Sequence, residues 1–110
     1  SYSEKLYRAK GDLYPTVEYL QKNTSSDDRI YSTDGRLRYY ISHPITVGYP
    51  TLEDLHEYNF FIVGSRAQSV YEFISSNNTN TIEQLDNQIQ SKIVYKGPNN
   101  KIIIYKLNNN

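Results

Sequence analysis

Asn59-Phe60-Phe61-Ile62-Val63-Gly64-Ser65-Arg66 is the stretch whose reading decides the fold. Four apolar residues follow one another without a break and stop at Gly-Ser. An apolar run of this length, bounded by turn residues, reads as a strand buried on both faces. Immediately after it, Ala67, Val70, Phe73 and Ile74 recur at the spacing of one helix face. A strand that passes directly into a helix is half of a βαβ unit, so the chain reads as a small α/β domain.

Moving back from this stretch, Thr51-Leu52-Glu53-Asp54 carries a capping-box pattern, with an acid three residues after Thr51. It predicts a short helix to about Glu57 that delivers the chain into the central strand. Ile45 to Gly48 reads as a brief strand, and Arg36 to Ser42 as a helix that ends at His43-Pro44, because a residue before proline is pushed out of the α region. Arg29 to Thr33 is a short strand ahead of an Asp34-Gly35 turn, and Asn23 to Asp28 is a polar turn. Asp12 to Asn23 predicts a helix. Asp12 suits the N-cap, Pro15 is tolerated in the first turn, and Leu13, Val17 and Leu20 share one face. Residues 1–11 form a lead-in.

Moving forward, Arg66 to Ser76 predicts a helix, and Asn80 with Glu83 caps another, with Ile82, Leu85 and Ile89 turned inward. Lys92 to Lys96 and Lys101 to Lys106 flank Gly97-Pro98-Asn99-Asn100, a β-hairpin signal. The residues 108–110 form a frayed tail. Strands alternating with helices imply a mainly parallel sheet. The expected architecture is a three-layer, Rossmann-like α/β domain, with a mixed, mainly parallel sheet of about five strands, helices on both faces and a C-terminal β-hairpin.

Composition narrows the function classes. At 110 residues the chain is one domain. Its 12 basic and 12 acidic residues balance, which makes no electrostatic case for a nucleic-acid partner or an anionic membrane surface. Cysteine is absent, which removes disulfides, thiolate metal sites and thiol nucleophiles. No apolar run reaches the roughly 18 to 20 residues that span a bilayer. The sequence begins at Ser1 rather than Met, so it reads as a piece excised from a larger protein. The 12 tyrosines put amphipathic rings at many half-buried positions.

Several segments, in order, resemble a known family. They are Tyr14-Pro15-Thr16-Val17-Glu18-Tyr19-Leu20, Ser26-Asp27-Asp28-Arg29-Ile30-Tyr31-Ser32-Thr33, Leu37-Arg38-Tyr39-Tyr40, Tyr58-Asn59-Phe60-Phe61-Ile62-Val63 and the closing hairpin ending Ile104-Tyr105-Lys106-Leu107. Over about residues 12–107 the chain resembles the soluble C-terminal domain of polytopic membrane glycosyltransferases. These are the bacterial relatives of dolichyl-phosphate-mannose protein mannosyltransferases and of lipid A aminoarabinose transferases. In that family the catalytic acid lies on an external loop of the membrane part and the donor is a polyprenyl-phosphate sugar. The resemblance therefore carries no catalytic residue onto this sequence. It implies an extracytoplasmic domain lying over the membrane active site, with the transmembrane part of the same protein as partner and a glycan or protein acceptor nearby.

The residues themselves offer one candidate site. In open α/β sheets, ligands sit at the carboxyl ends of parallel strands, where strand order reverses. Those ends are Ser32, Thr33 and Asp34 after the first strand and Gly64, Ser65 and Arg66 after the central one. Free N–H groups at a helix start, beside Ser65 and Arg66, suit a small anion such as phosphate or carboxylate. The plainer alternative is that Gly64-Ser65 turns the chain and caps the helix, while Asp34-Gly35 is a turn. GxGxxG and GxxxxGK[ST] are both missing, which argues against nucleotide binding. No G-x-S-x-G elbow occurs, so no catalytic residue is assigned. His43 and His56 are the only histidines; Glu53 and His56 permit two ligands with no evident third, so neither a metal nor another cofactor is expected. Asp27-Asp28 reads as a solvated turn rather than a carboxylate pair. Tyr39-Tyr40, Tyr49, Tyr58 and Tyr71 suit either core packing or a surface that contacts sugar or protein. Asn23-Thr24-Ser25 and Asn77-Asn78-Thr79 match the N-glycosylation pattern, which an Asn-rich chain meets by chance.

Overall fold

The computed structural model describes residues 11, 13–65 and 91–108. The helices expected over 66–76 and 80–89, the lead-in before Gly11, Arg66 and Tyr71 lie outside the described residues.

The described chain runs α1 (Leu13–Asn23), β1 (Ile30–Ser32), a 3-10 helix (Gly35–Tyr39), β2 (Ile45–Val47), α2 (Leu52–Leu55), β3 (Phe60–Gly64), β4 (Lys92–Lys96), a 3-10 turn (Pro98–Asn100) and β5 (Ile102–Lys106). The five strands form one sheet in the order β2-β1-β3-β5-β4. β1 pairs in parallel with β2 and with β3, and β5 is antiparallel to both β3 and β4. The mixed, mainly parallel sheet with a closing hairpin is thus present. From β1 the chain goes to β2 on one side and then to β3 on the other. This reversal puts a crevice at the carboxyl ends of β1 and β3.

β3 is the spine. Phe60, Phe61, Ile62 and Val63 are all buried, as the uninterrupted apolar run predicts. Their alternation feeds two separate cores. Phe60 and Ile62 join Ile30, Ile102 and Ile104 under Leu13, Val17 and Leu20 of α1 and Leu37 and Ile41 around the 3-10 helix. Phe61 and Val63 face the other way, with Leu55 of α2, Tyr105 and Leu107. Each such side chain contributes about 1.5–3 kcal/mol by leaving water.

The local signals explain the element ends. Thr51 Oγ1 accepts the Asp54 N–H at 3.2 Å and the Asp54 carboxylate accepts the Thr51 N–H at 2.9 Å, a reciprocal capping box. Asp28 closes its turn by accepting the Ser25 N–H at 2.8 Å, the turn role expected of Asp27-Asp28. Asn99 and Asn100 take φ of 56° and 55°, the left-handed region that asparagine tolerates, and turn the hairpin. Arg36 to Ser42 differs from expectation: the segment makes only a 3-10 helix that ends at Tyr39. Ile41 and Tyr40 still pack on the core beyond that end, so their apolar spacing reflects tertiary packing rather than a continuing helix. Among the described residues no helix is long and apolar enough to cross a membrane.

Candidate functional site

The crevice at the carboxyl ends of β1 and β3 brings Ser32, Thr33, Asp34 and Gly64 together, as the topology demands. Thr33 bridges the two strands. Its N–H donates to the Ile62 carbonyl at 2.9 Å, its hydroxyl donates to the same carbonyl at 3.3 Å, and Thr33 Oγ1 accepts the Gly64 N–H at 2.9 Å. Ser32, fully buried, uses its hydroxyl on the next residue but one. It accepts the Asp34 N–H and donates to the Asp34 carbonyl, each at 2.9 Å.

Asp34 is engaged twice over. Its Oδ1 accepts the Arg36 N–H at 3.0 Å and so caps the 3-10 helix. The Arg36 guanidinium folds back onto the same carboxylate, with Nη2 to Oδ2 at 2.6 Å and Nε to Oδ1 at 3.0 Å. A charge-assisted, two-pronged pair of this kind is among the stronger side-chain hydrogen bonds. The crevice therefore holds a carboxylate already matched to a guanidinium, and the described groups Ser32, Thr33, Asp34 and the Gly64 N–H are bonded to one another or to the strand backbones. Ser65 is exposed at the end of β3 and itself makes a further interaction. Arg66, the remaining candidate, lies outside the described residues.

The tyrosines divide. Tyr40 packs against the α1-side core. Tyr39 and Tyr49 stand out from the surface at 75% and 53% exposure. Tyr58 meets Tyr31 edge-on, with ring centroids 4.9 Å apart. Tyr31 and Tyr58, with Thr46, Glu53, Asp54 and Glu57, line an open cleft of about 410 Å³. Thr46 Oγ1 and the Tyr58 hydroxyl are 2.9 Å apart. The Arg29 guanidinium lies 4.8 Å above the Tyr58 ring and 3.8 Å from the Glu57 carboxylate. Burial pushes the Tyr31 hydroxyl above its usual value of 10.0, and the Asp54 carboxylate and Tyr58 beside it add to the rise.

Sequence reasoning missed this cleft. Its residues come from β1, β2, α2 and the approach to β3, and only the parallel pairing of β1 with both neighbours brings them together. The available signal was the run of acids at Glu53, Asp54 and Glu57 ahead of Tyr58, which reads equally as a solvated helix face.

His56 is exposed and His43 is half-buried, with both of its ring nitrogens buried and without a hydrogen-bond partner. Among the described residues no group of three metal-ligating side chains converges. Asn23 donates its side-chain amide to the Tyr19 carbonyl at 2.8 Å, closing the end of α1.

In comparisons with protein-family models, with curated proteins and with solved structures, no match was found for this chain. The geometry and the sequence pattern therefore carry the functional reading.

Proposed function

We propose that the chain is a non-catalytic extracytoplasmic domain of a membrane glycosyltransferase that uses a polyprenyl-phosphate sugar donor. There it supports the membrane core of the same protein or positions the glycan or protein acceptor. The observation that carries the reading is the order of elements. Helix α1 leads through a polar turn into the short strand β1, then into a 3-10 helix ending at the paired aromatics Tyr39-Tyr40. Tyr58 precedes the apolar strand β3, and the β4–β5 hairpin closes the domain. That order is the one in which the resembling segments occur in the sequence.

The state of the crevice supports a supporting rather than a chemical role. Thr33, Ser32 and Asp34 tie β1 to β3 and to the 3-10 helix. The competing reading is a free-standing module that binds a small anion at Ser32 to Asp34 and Gly64 to Arg66. It needs Ser32, Thr33 and Asp34 to give up bonds that they make to one another and to the strands.

The test is the native reading frame around Ser1. The reading expects several apolar spans of about 20 residues on the same polypeptide, with an acidic residue in the first external loop. A frame with no such span sinks it. The anion reading is tested by thermal denaturation in phosphate and sugar phosphates, since a saturating ligand stabilises the fold by mass action. A rise in midpoint that is lost in Ser65→Ala with Arg66→Ala would restore it.

A further inference from the structure

The cleft at Tyr31 and Tyr58 follows from the strand register. Pairing sets Thr46, Tyr31, Phe61 and Tyr105 side by side, one from each of β2, β1, β3 and β5. Residues paired in this way share one face of the sheet. Phe61 and Tyr105 are buried there with Leu55 of α2. Helix α2 has only four residues, and the row runs on from this core into the cleft, where Tyr31 is half-buried and Thr46 is exposed. A second cavity, of about 310 Å³, shares Thr46 and Tyr58 with the first and is lined further by Ser26, Asp27, Ile30 and Pro44. The Thr46–Tyr58 hydroxyl pair thus borders two adjoining hollows.

Bonding capacity is left over in the cleft. The Tyr31 hydroxyl makes no hydrogen bond among the described residues. Asp54 uses Oδ2 on the Thr51 N–H and keeps Oδ1. Glu53 lines the same space and is exposed.

The charges limit what can enter. An anion would face Glu53, Asp54 and Glu57. A cation drawn to the Tyr58 ring would meet the Arg29 guanidinium, which already lies 4.8 Å above it. Ionised carboxylates only accept hydrogen bonds, so the fitting ligand is neutral and supplies several donors. Against tyrosine rings it must also present C–H surface. A saccharide does both, since its hydroxyls donate and its ring C–H groups form an apolar face. Clefts of this size hold small molecules.

We propose that the cleft is a saccharide-binding subsite. One sugar ring lies against Tyr31 and Tyr58, with its hydroxyls on Glu53, Asp54 and the Tyr31 hydroxyl. A second ring passes over Thr46 into the hollow beside Asp27. The inference rests on the acceptor-positioning reading above and names the place at which a glycan acceptor is held.

The experiment is a titration of the isotope-labelled 110-residue chain, followed by its amide NMR shifts. The probes are glucose, mannose, galactose and N-acetylglucosamine, each alone and as a disaccharide. At least one should move the amides of Tyr31, Thr46, Glu53, Asp54 and Tyr58 at about millimolar concentration, the scale for about a dozen non-hydrogen atoms in an open cleft. Its disaccharide should bind more tightly and move Ser26 and Asp27 as well. Glu53→Gln and Tyr31→Phe should each weaken binding about fivefold, the effect of one hydrogen bond. Glu53 is exposed, so Glu53→Gln should melt as the parent chain does. Lys101→Gln, at the hairpin turn, should leave binding unchanged. No localised shift with any of these sugars overturns the proposal. So does a stronger response of the same amides to putrescine or to inorganic phosphate, which would make the cleft an ion site. The upstream reading frame separates the two claims. Apolar spans without sugar-induced shifts remove only the subsite, whereas sugar binding with a frame that lacks spans keeps the subsite and removes the membrane glycosyltransferase.

Discussion

Two regions of this molecule use the same residue types in opposite ways. At the carboxyl ends of β1 and β3, Thr33, Asp34 and Arg36 are bonded to one another and to the strand backbones. In the Tyr31–Tyr58 cleft, a threonine and acidic side chains line open space, with one guanidinium stacked at its edge. The first region is where strand topology leads one to look for a ligand, and its described side chains tie the strands and the 3-10 helix together. A hydroxyl or carboxylate at a topological switch point signals a site only if its bonding capacity is left over once the strands are joined.

The contrast can be broken by substitution. Phe61, between the two regions and fully buried against Tyr105, sets the scale: Phe61→Ala should cost about 3–5 kcal/mol in urea denaturation. Thr33→Val keeps the shape but leaves the Gly64 N–H without its acceptor, and should cost about 1–3 kcal/mol. Gly48 has φ of +156°, and a Cβ there would stand 3.1 Å from the Tyr31 hydroxyl. Gly48→Ala should therefore destabilise by about 1–3 kcal/mol, and Gly48→Ala with Tyr31→Phe by less, because the crowding oxygen is gone. Glu57→Gln should not move the denaturation midpoint measurably, since its contact to Arg29 is long and solvated. If Glu57→Gln costs as much as Thr33→Val, the two regions are not different in kind.

The cleft has its own signature in alkali. Tyr31 keeps its proton in the folded protein above the usual value of 10.0, whereas the unfolded chain gives it up there. The folded state then binds more protons, so stability is fully present below pH 10 and falls as pH rises through the higher folded value. Tyr31→Phe should flatten this loss in pH-dependent denaturation. An unchanged alkaline slope would show that another group carries it.

Much of the fold was legible because its signals are local. The apolar run Phe60 to Val63, the Thr51–Asp54 capping box and the Gly97 to Asn100 turn each carry their meaning within a few residues, and each forms as its sequence implies. Arg36 to Ser42 misled because Tyr40 and Ile41 are apolar for the sake of the core, not of a helix face. The crevice was legible as a meeting of Ser32, Thr33, Asp34 and Gly64, but not in the bonds that join them. Nothing in the sequence says that Arg36 folds back onto Asp34 or that Thr33 reaches across to β3.

Protease accessibility in cells of the source organism tests whether the domain is membrane-bound and extracytoplasmic, as proposed. The parent protein, tagged within this domain, would be followed through alkaline membrane washing and through treatment of intact spheroplasts with an external protease. The account predicts that the tag stays with the washed membranes and is cut from outside. A tag recovered in the soluble fraction, or protected until the cytoplasmic membrane is opened, would contradict it.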